Sequence, residues 1–414
     1  MMQLSKDELR ADFSRELYDR YFGPRLRYIE DNEQSAEDTG VFELKLADGS
    51  RVTKKENEPK KIKKKNIGLT DLLDFYKSRG LVGEEKTCIL QTLGSIHQLC
   101  FGIESLSGSG KSFTLDILLE LLPEDYVYVL KQSSDKAAMY DSSSLNKAKV
   151  LVITELQKSS SKTMLEILKD LGEGKDAERI VTNHDRSGVS EQRIESGKAV
   201  IYTLALENWF KKDREIERRY FQLYTDISEE QTKRILEKIA EEEITNNKSG
   251  LDHERDSFLK KHIADCIDFR FEYANPFALS IIEQMPLKIK ARSFARHYFD
   301  LIRACAKFNY RNRVNKGALF INLEDAYVVH QLYSEQFFRS VLKEPNYSKI
   351  RDVAGFENNI DWAAVWQDGI KQMREHYPAI AERWENNQTE NGCVYAFSPL
   401  TKEKEPLVKN AKSN

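Results

Sequence analysis

Six small or charged residues in a row, Ser107-Gly108-Ser109-Gly110-Lys111-Ser112, precede an apolar run, Val150-Leu151-Val152-Ile153, that delivers Thr154 and Glu155 to its end. The chemistry these types and spacings suit is phosphate binding followed by attack of water. Successive backbone N–H groups can curl round phosphate oxygens only where side chains are small, and a helix starting after the loop points its positive end at the same charge. Gly108 and Gly110 suit the curl. Lys111 would reach β- and γ-phosphate oxygens, and the Ser112 hydroxyl would be a magnesium ligand. Ser107, Ser109 and Phe113 complete the stretch expected to hold a nucleotide, which makes ATP and Mg²⁺ the expected cofactors. Ser105 stands where the G-x-x-x-x-G-K-S pattern has its first glycine. Glu155 is the expected carboxylate that orients the attacking water, and with Ser112 it is the expected metal contact.

These residues need a scaffold that presents them at one edge. Cys100-Phe101-Gly102-Ile103 reads as a buried strand leading into the loop, and Phe113 to Leu122 has helical spacing that stops before Pro123. Val150 to Ile153 and Ala199 to Thr203 read as strands covered on both faces, the second carrying Thr203 to the edge where Glu155 sits. With Tyr126 to Leu130 as a further strand, the alternation predicts an α/β sheet sandwiched by helices. Between them, Arg179 to Asn183 and Gln192 to Glu195 flank a polar centre and predict a β-hairpin. Ser228 with Gln231 three residues on predicts a capped helix that runs to about Ile244.

The 414 residues allow two or three domains. The divisions expected are 1–66, a small N-terminal region with a basic linker over Arg51 to Asn66; 67–245, the P-loop domain; 246–345, a mainly helical domain; and 346–414, a C-terminal tail with a helix over Asp361 to Tyr377, mobile from Thr401 onward. The composition, 40% hydrophobic and 32% charged with a net charge of −3, is that of a globular chain without a global pull toward nucleic acid. Cys88, Cys100, Cys266, Cys305 and Cys393 are widely spaced and form no C-x-x-C pair, which predicts reduced thiols and no zinc site. No apolar stretch is long enough to span a bilayer, and no signal-peptide core follows the start, so a cytoplasmic protein without membrane association is expected.

Taken together, the loop, the Glu155 strand and the stretch Lys198 to Lys233 resemble AAA+ ring ATPases. The resemblance is nearest to the helicase-like modules linked to primases and related to superfamily three and minichromosome maintenance helicases. It covers roughly residues 85 to 340. It implies that Thr203 is sensor 1, that Arg219, rather than Arg218, is an arginine finger acting on the neighbouring subunit, and that Arg292 or Arg296 is a sensor 2 candidate. It implies a homo-oligomer, a hexamer, working on single-stranded DNA with a primase or another replication partner. The predicted hairpin would grip DNA with Lys175, His184 and Arg186, since cations on a pore loop hold successive phosphates. Two departures from the wider pattern are Ser105 for Gly and Thr154 for Asp.

The function expected is therefore an ATP-hydrolysing motor on DNA. A rival is an ATP-dependent switch or remodeller of protein partners, for example in anti-phage defence, and a third is a scaffold that binds ATP without turning it over. Lys54 to Lys65 offers a second basic strip for phosphate contacts.

Overall fold

The computed structural model describes residues 42–45, 51–54, 67–130, 141–158, 162–182, 189–205, 214–245, 252–314, 317–342, 360–409 and 411. The chain divides into two units, 1–66 and 67–414. In the first, β1 (Phe42–Lys45) pairs antiparallel with β2 (Arg51–Lys54). The start of the basic run is thus a strand and not a linker, because Val52 and Thr53 bring β-branched residues between the cations. The rest of that run, 55–66, lies outside the described residues.

The second unit opens with α1 (Leu69–Ser78) and α2 (Glu85–Ile96), the latter buried from Thr87 to Ile96. A helix with no exposed face over that length has neighbours all round. Next come β3 (Cys100–Glu104), α3 (Lys111–Leu121), β4 (Val127–Leu130), α4 (Ser142–Lys147), β5 (Val150–Ile153) and α5 (Lys162–Gly172). The hairpin of β6 (Ala177–Thr182) and β7 (Val189–Ile194) precedes β8 (Ala199–Leu204), α6 (Arg214–Arg219), β9 (Phe221–Tyr224) and α7 (Glu229–Thr245). Five strands pair in parallel in the order β4-β5-β8-β3-β9. Both β5 and β8 are buried throughout, as their unbroken apolar runs require in a sheet covered on both faces. The hairpin forms a separate two-stranded sheet, its pairing running from Ala177↔Ile194 to Thr182↔Val189. Helix α7 begins as the sequence predicts, the Gln231 amide donating to Ser228 Oγ at 3.1 Å.

Helices α8 (His253–Asp268), α9 (Ala278–Glu283), α10 (Ala291–Phe308) and α11 (Leu323–Leu342) follow, with the short parallel pair β10 (Glu272–Ala274) and β11 (Ala318–Phe320). The fold is that of an α/β P-loop domain with a helical C-terminal region. The expected divisions after 245 and 345 fall inside the second unit, because one apolar core runs through them from Leu69 to Ala411.

The described residues of the expected tail, 360–409 and 411, are a structured part of that core. They contain α12 (Trp362–His376), α13 (Pro378–Gln388) and the antiparallel sheet β12 (Thr389–Glu390), β13 (Cys393–Phe397) and β14 (Lys404–Val408). Trp366 and Trp384 are fully buried and stack at 5.6 Å between centroids, and the Trp366 indole N–H donates to Ala411 O at 3.2 Å. Burying side chains of this size contributes roughly 3 kcal/mol each, which holds the charged strand Lys404–Val408 in place despite its composition.

Candidate functional site

The loop between β3 and α3 takes its shape from two glycines. Gly108 has φ +80° and Gly110, the residue before α3, has φ +88°, a left-handed conformation that a Cβ would penalise. Nothing lies within 4 Å of the place a Cβ would occupy at either, so the loop is open toward an incoming phosphate. Ser105 is absent from the non-glycine residues with positive φ, so no glycine is required there. Its amide donates to Leu204 O at 3.3 Å, which ties the base of the loop to β8.

Lys111 is buried, and its ammonium donates to Ser105 O at 2.9 Å, to Leu106 O at 2.5 Å and to Ser109 Oγ at 3.3 Å. The loop is wrapped round a cation, the arrangement a nucleotide's phosphates would share. Burial lowers the Lys111 pKa, and the Glu155 charge nearby acts in the opposite direction. Ser107 and Gly108 are exposed on the loop, Ser109 and Gly110 half-buried, and Ser112 and Phe113 exposed at the start of α3. These residues suit ATP with Mg²⁺, which the Ser112 hydroxyl would help hold and which would polarise the phosphates for attack. No cluster of three His, Cys, Asp or Glu side chains that could hold a metal exists among the described residues. Magnesium held through one hydroxyl and the substrate's own phosphates needs none.

Glu155 follows β5 directly and has φ +48°, an uncommon conformation for a residue with a side chain. Its amide donates to Thr203 Oγ1 at 2.9 Å. Because β5 and β8 are neighbours, the buried Thr203 at the end of β8 fixes the turn that aims Glu155. Thr203 thus positions the carboxylate through its backbone, a contact the sequence reading did not foresee. The Glu155 carboxylate accepts from Lys158 Nζ at 2.6 Å, a pair in which both side chains are half exposed. Thr154 donates its amide to Leu130 O at 3.3 Å, anchoring the turn to β4 as well.

A further buried group stands at the carboxyl end of β9, the same end of the parallel sheet as the loop. Glu84, just before α2, accepts from the Asp226 amide at 2.6 Å and from Thr87 Oγ1 at 2.8 Å. Burial pushes its carboxyl up to about 7 from the ordinary 4.5, against the pull of both hydrogen bonds, and the Asp226 and Glu85 charges add to the rise. The folded chain then holds this proton more tightly than the unfolded one. The stability it contributes is full below the unfolded value and is lost as pH rises through the folded value, a fall of about 3 kcal/mol. Glu84→Gln is expected to flatten that slope, measured by urea unfolding between about pH 5 and about pH 8. An unchanged slope in the variant would place the linkage elsewhere.

The remaining predicted residues that the structure describes are not brought to the loop. Arg219 ends α6 and so lies at the amino end of β9, opposite the loop of its own chain. Its guanidinium pairs with the Glu173 carboxylate, and its side chain is 12% exposed. Arg218 is exposed instead, its carbonyl accepting from the His297 ring at 3.1 Å. Arg292 and Arg296 are exposed near the start of α10, which packs on α6 through that contact and through Lys290 Nζ to Glu217 at 3.2 Å. Lys175 is exposed and paired with Glu173 at 2.8 Å, while His184 and Arg186 lie outside the described residues.

The loop, the strand-end carboxylate and the parallel sheet define a nucleotide-binding P-loop domain. Residues 85–267, from the start of α2 into α8, match the family model described as MTBMA_p00010 P-loop domain. No curated protein matches the chain. No described helix is long and apolar enough to cross a membrane.

Proposed function

We propose that the protein hydrolyses ATP and uses the cycle to drive motion on single-stranded DNA as an assembled ring. The observation that carries hydrolysis is the hydrogen bond from the Glu155 amide to Thr203 Oγ1, which fixes a carboxylate beside Lys111 at the carboxyl edge of the sheet. Glu155 is the water-orienting group in this reading, Lys111 the phosphate cation, and Ser112 the magnesium ligand. The β6–β7 hairpin supports the motor reading, since it is inserted between α5 and β8 and leads into the strand that carries Thr203. A nucleotide-dependent shift at Thr203 would reach the hairpin along the length of β8. Arg218 is the finger this reading assigns to the neighbouring subunit, because Arg219 is committed to Glu173.

A second reading, a nucleotide-driven switch on protein partners, is favoured by one observation. The cations at the base of the hairpin are neutralised within the chain, Lys175 by Glu173 and Arg193 by Asp176. ATPase rate with and without single-stranded DNA separates the two. The motor reading expects stimulation that is weakened when His184 and Arg186 are both replaced by alanine, with basal turnover retained and a shallower salt dependence of DNA binding. Absence of DNA affinity in the wild type at low salt would leave the protein-directed switch.

A further inference from the structure

Helix α7 leaves the end of β9 and is held near its start by Gln231, whose side chain donates to Val82 O at 2.5 Å. Beyond that anchor, every residue from Thr232 to Ile244 except Lys238 is exposed. Ile235, Leu236, Ile239 and Ala240 fall on one side of the helix at 100° per residue, and Leu236 is 60% exposed. A helix of this length, about 25 Å, gains little from its own backbone in water and has an apolar stripe with no cover among the described residues.

A second uncovered apolar surface lies elsewhere on the same unit. In α9 and the turn that enters α10, Leu279, Ile282, Leu287 and Ile289 are all exposed, Leu287 to 99%. The charges of the two surfaces are opposite. Helix α7 carries six glutamates against Lys233, Arg234 and Lys238. The corner from Leu279 to Arg296 carries Lys288, Arg292 and Arg296, with Lys290 paired to Glu217 of α6, against Glu283 alone.

We propose that the α7 face of one copy docks on the Leu279–Arg296 corner of a second copy of this chain, head to tail. Two different, complementary patches on one chain make a heterologous contact, which repeats from copy to copy and closes into a ring where the rotation allows. Apolar burial supplies the adhesion, and the acidic and basic rims fix the pairing. The corner packs beside α6, so the same contact carries the exposed Arg218 into the interface. The proposal rests on the reading of the chain as an assembled ATPase and names the surface that assembles it.

The test uses single substitutions at exposed positions, Leu236→Asp on the helix and Leu287→Asp on the corner, followed by mass in solution from sedimentation or light scattering. Wild type is expected to assemble, and each variant alone to remain at the mass of one chain at concentrations tenfold above those at which wild type associates. Mixed in equal amounts, the two variants are expected to form pairs and nothing larger, because one intact contact remains and cannot propagate. A wild type that stays at one chain mass, variants that assemble like wild type, or a mixture without pairs would each overturn the proposal. DNA-stimulated ATPase on the same samples keeps the two ideas apart. Assembly through this surface without any response to DNA would remove the motor reading and leave the docking surface standing. Stimulation by DNA in variants that still assemble would do the reverse.

Discussion

Glu155→Gln is expected to bind ATP as the wild type does and to lose turnover by roughly 10² to 10⁴-fold, the range a positioned general base supplies. The carboxylate is aimed by a backbone hydrogen bond to Thr203, which the amide variant keeps. The lost pair with Lys158 is half exposed and is worth at most about 1 kcal/mol, so unfolding should be unaltered within that margin. Lys111→Ala is expected to abolish nucleotide binding or turnover, since the Lys111 ammonium is the cation that three loop oxygens surround. Nucleotide affinity by calorimetry and phosphate release read the two variants separately. Hydrolysis at near wild-type rate in Glu155→Gln would require another base.

The arginine pair at the end of α6 divides into two roles, with opposite expected results. Arg218→Ala should leave the unfolding midpoint unchanged and reduce turnover of the assembled protein by about 10³-fold, the scale of an arginine finger. Arg219→Ala should do the converse, lowering the unfolding midpoint by removing the guanidinium that pairs with Glu173, while retaining most activity. Mixing Arg218→Ala with Lys111→Ala chains should restore hydrolysis, because one supplies sound loops and the other sound fingers. If turnover instead followed Arg219, the pair with Glu173 would have to open on assembly, and the assignment to Arg218 would fall.

The elements that hold the nucleotide were legible because local pattern determines them. Unbroken apolar runs marked β3, β5 and β8, the glycines and Lys111 marked the loop, and Ser228 with Gln231 marked the start of α7. What the pattern could not carry were contacts between distant positions. The Glu155–Thr203 bond exists because β5 lies next to β8, and sheet order is a property of the whole fold. Arg219 was chosen from its place before an apolar strand, but its partner Glu173 is 46 positions away. Glu84 carried no signal, since the amide it accepts from, that of Asp226 just after β9, is 142 positions away. The C-terminal stretch looked like a tail because its charged residues lie on the outer faces of elements whose inner faces hold Trp366 and Trp384.

The burial of α2 sets an order for the chain's emergence from the ribosome. This helix is made early and leads through β3 into the phosphate loop, yet part of its cover comes from α8, α10 and α11, made long after the sheet is complete. Residue 411 then closes the same core through Trp366. During synthesis the nascent P-loop domain therefore carries α2 with one side bare, a surface for chaperones rather than for nucleotide.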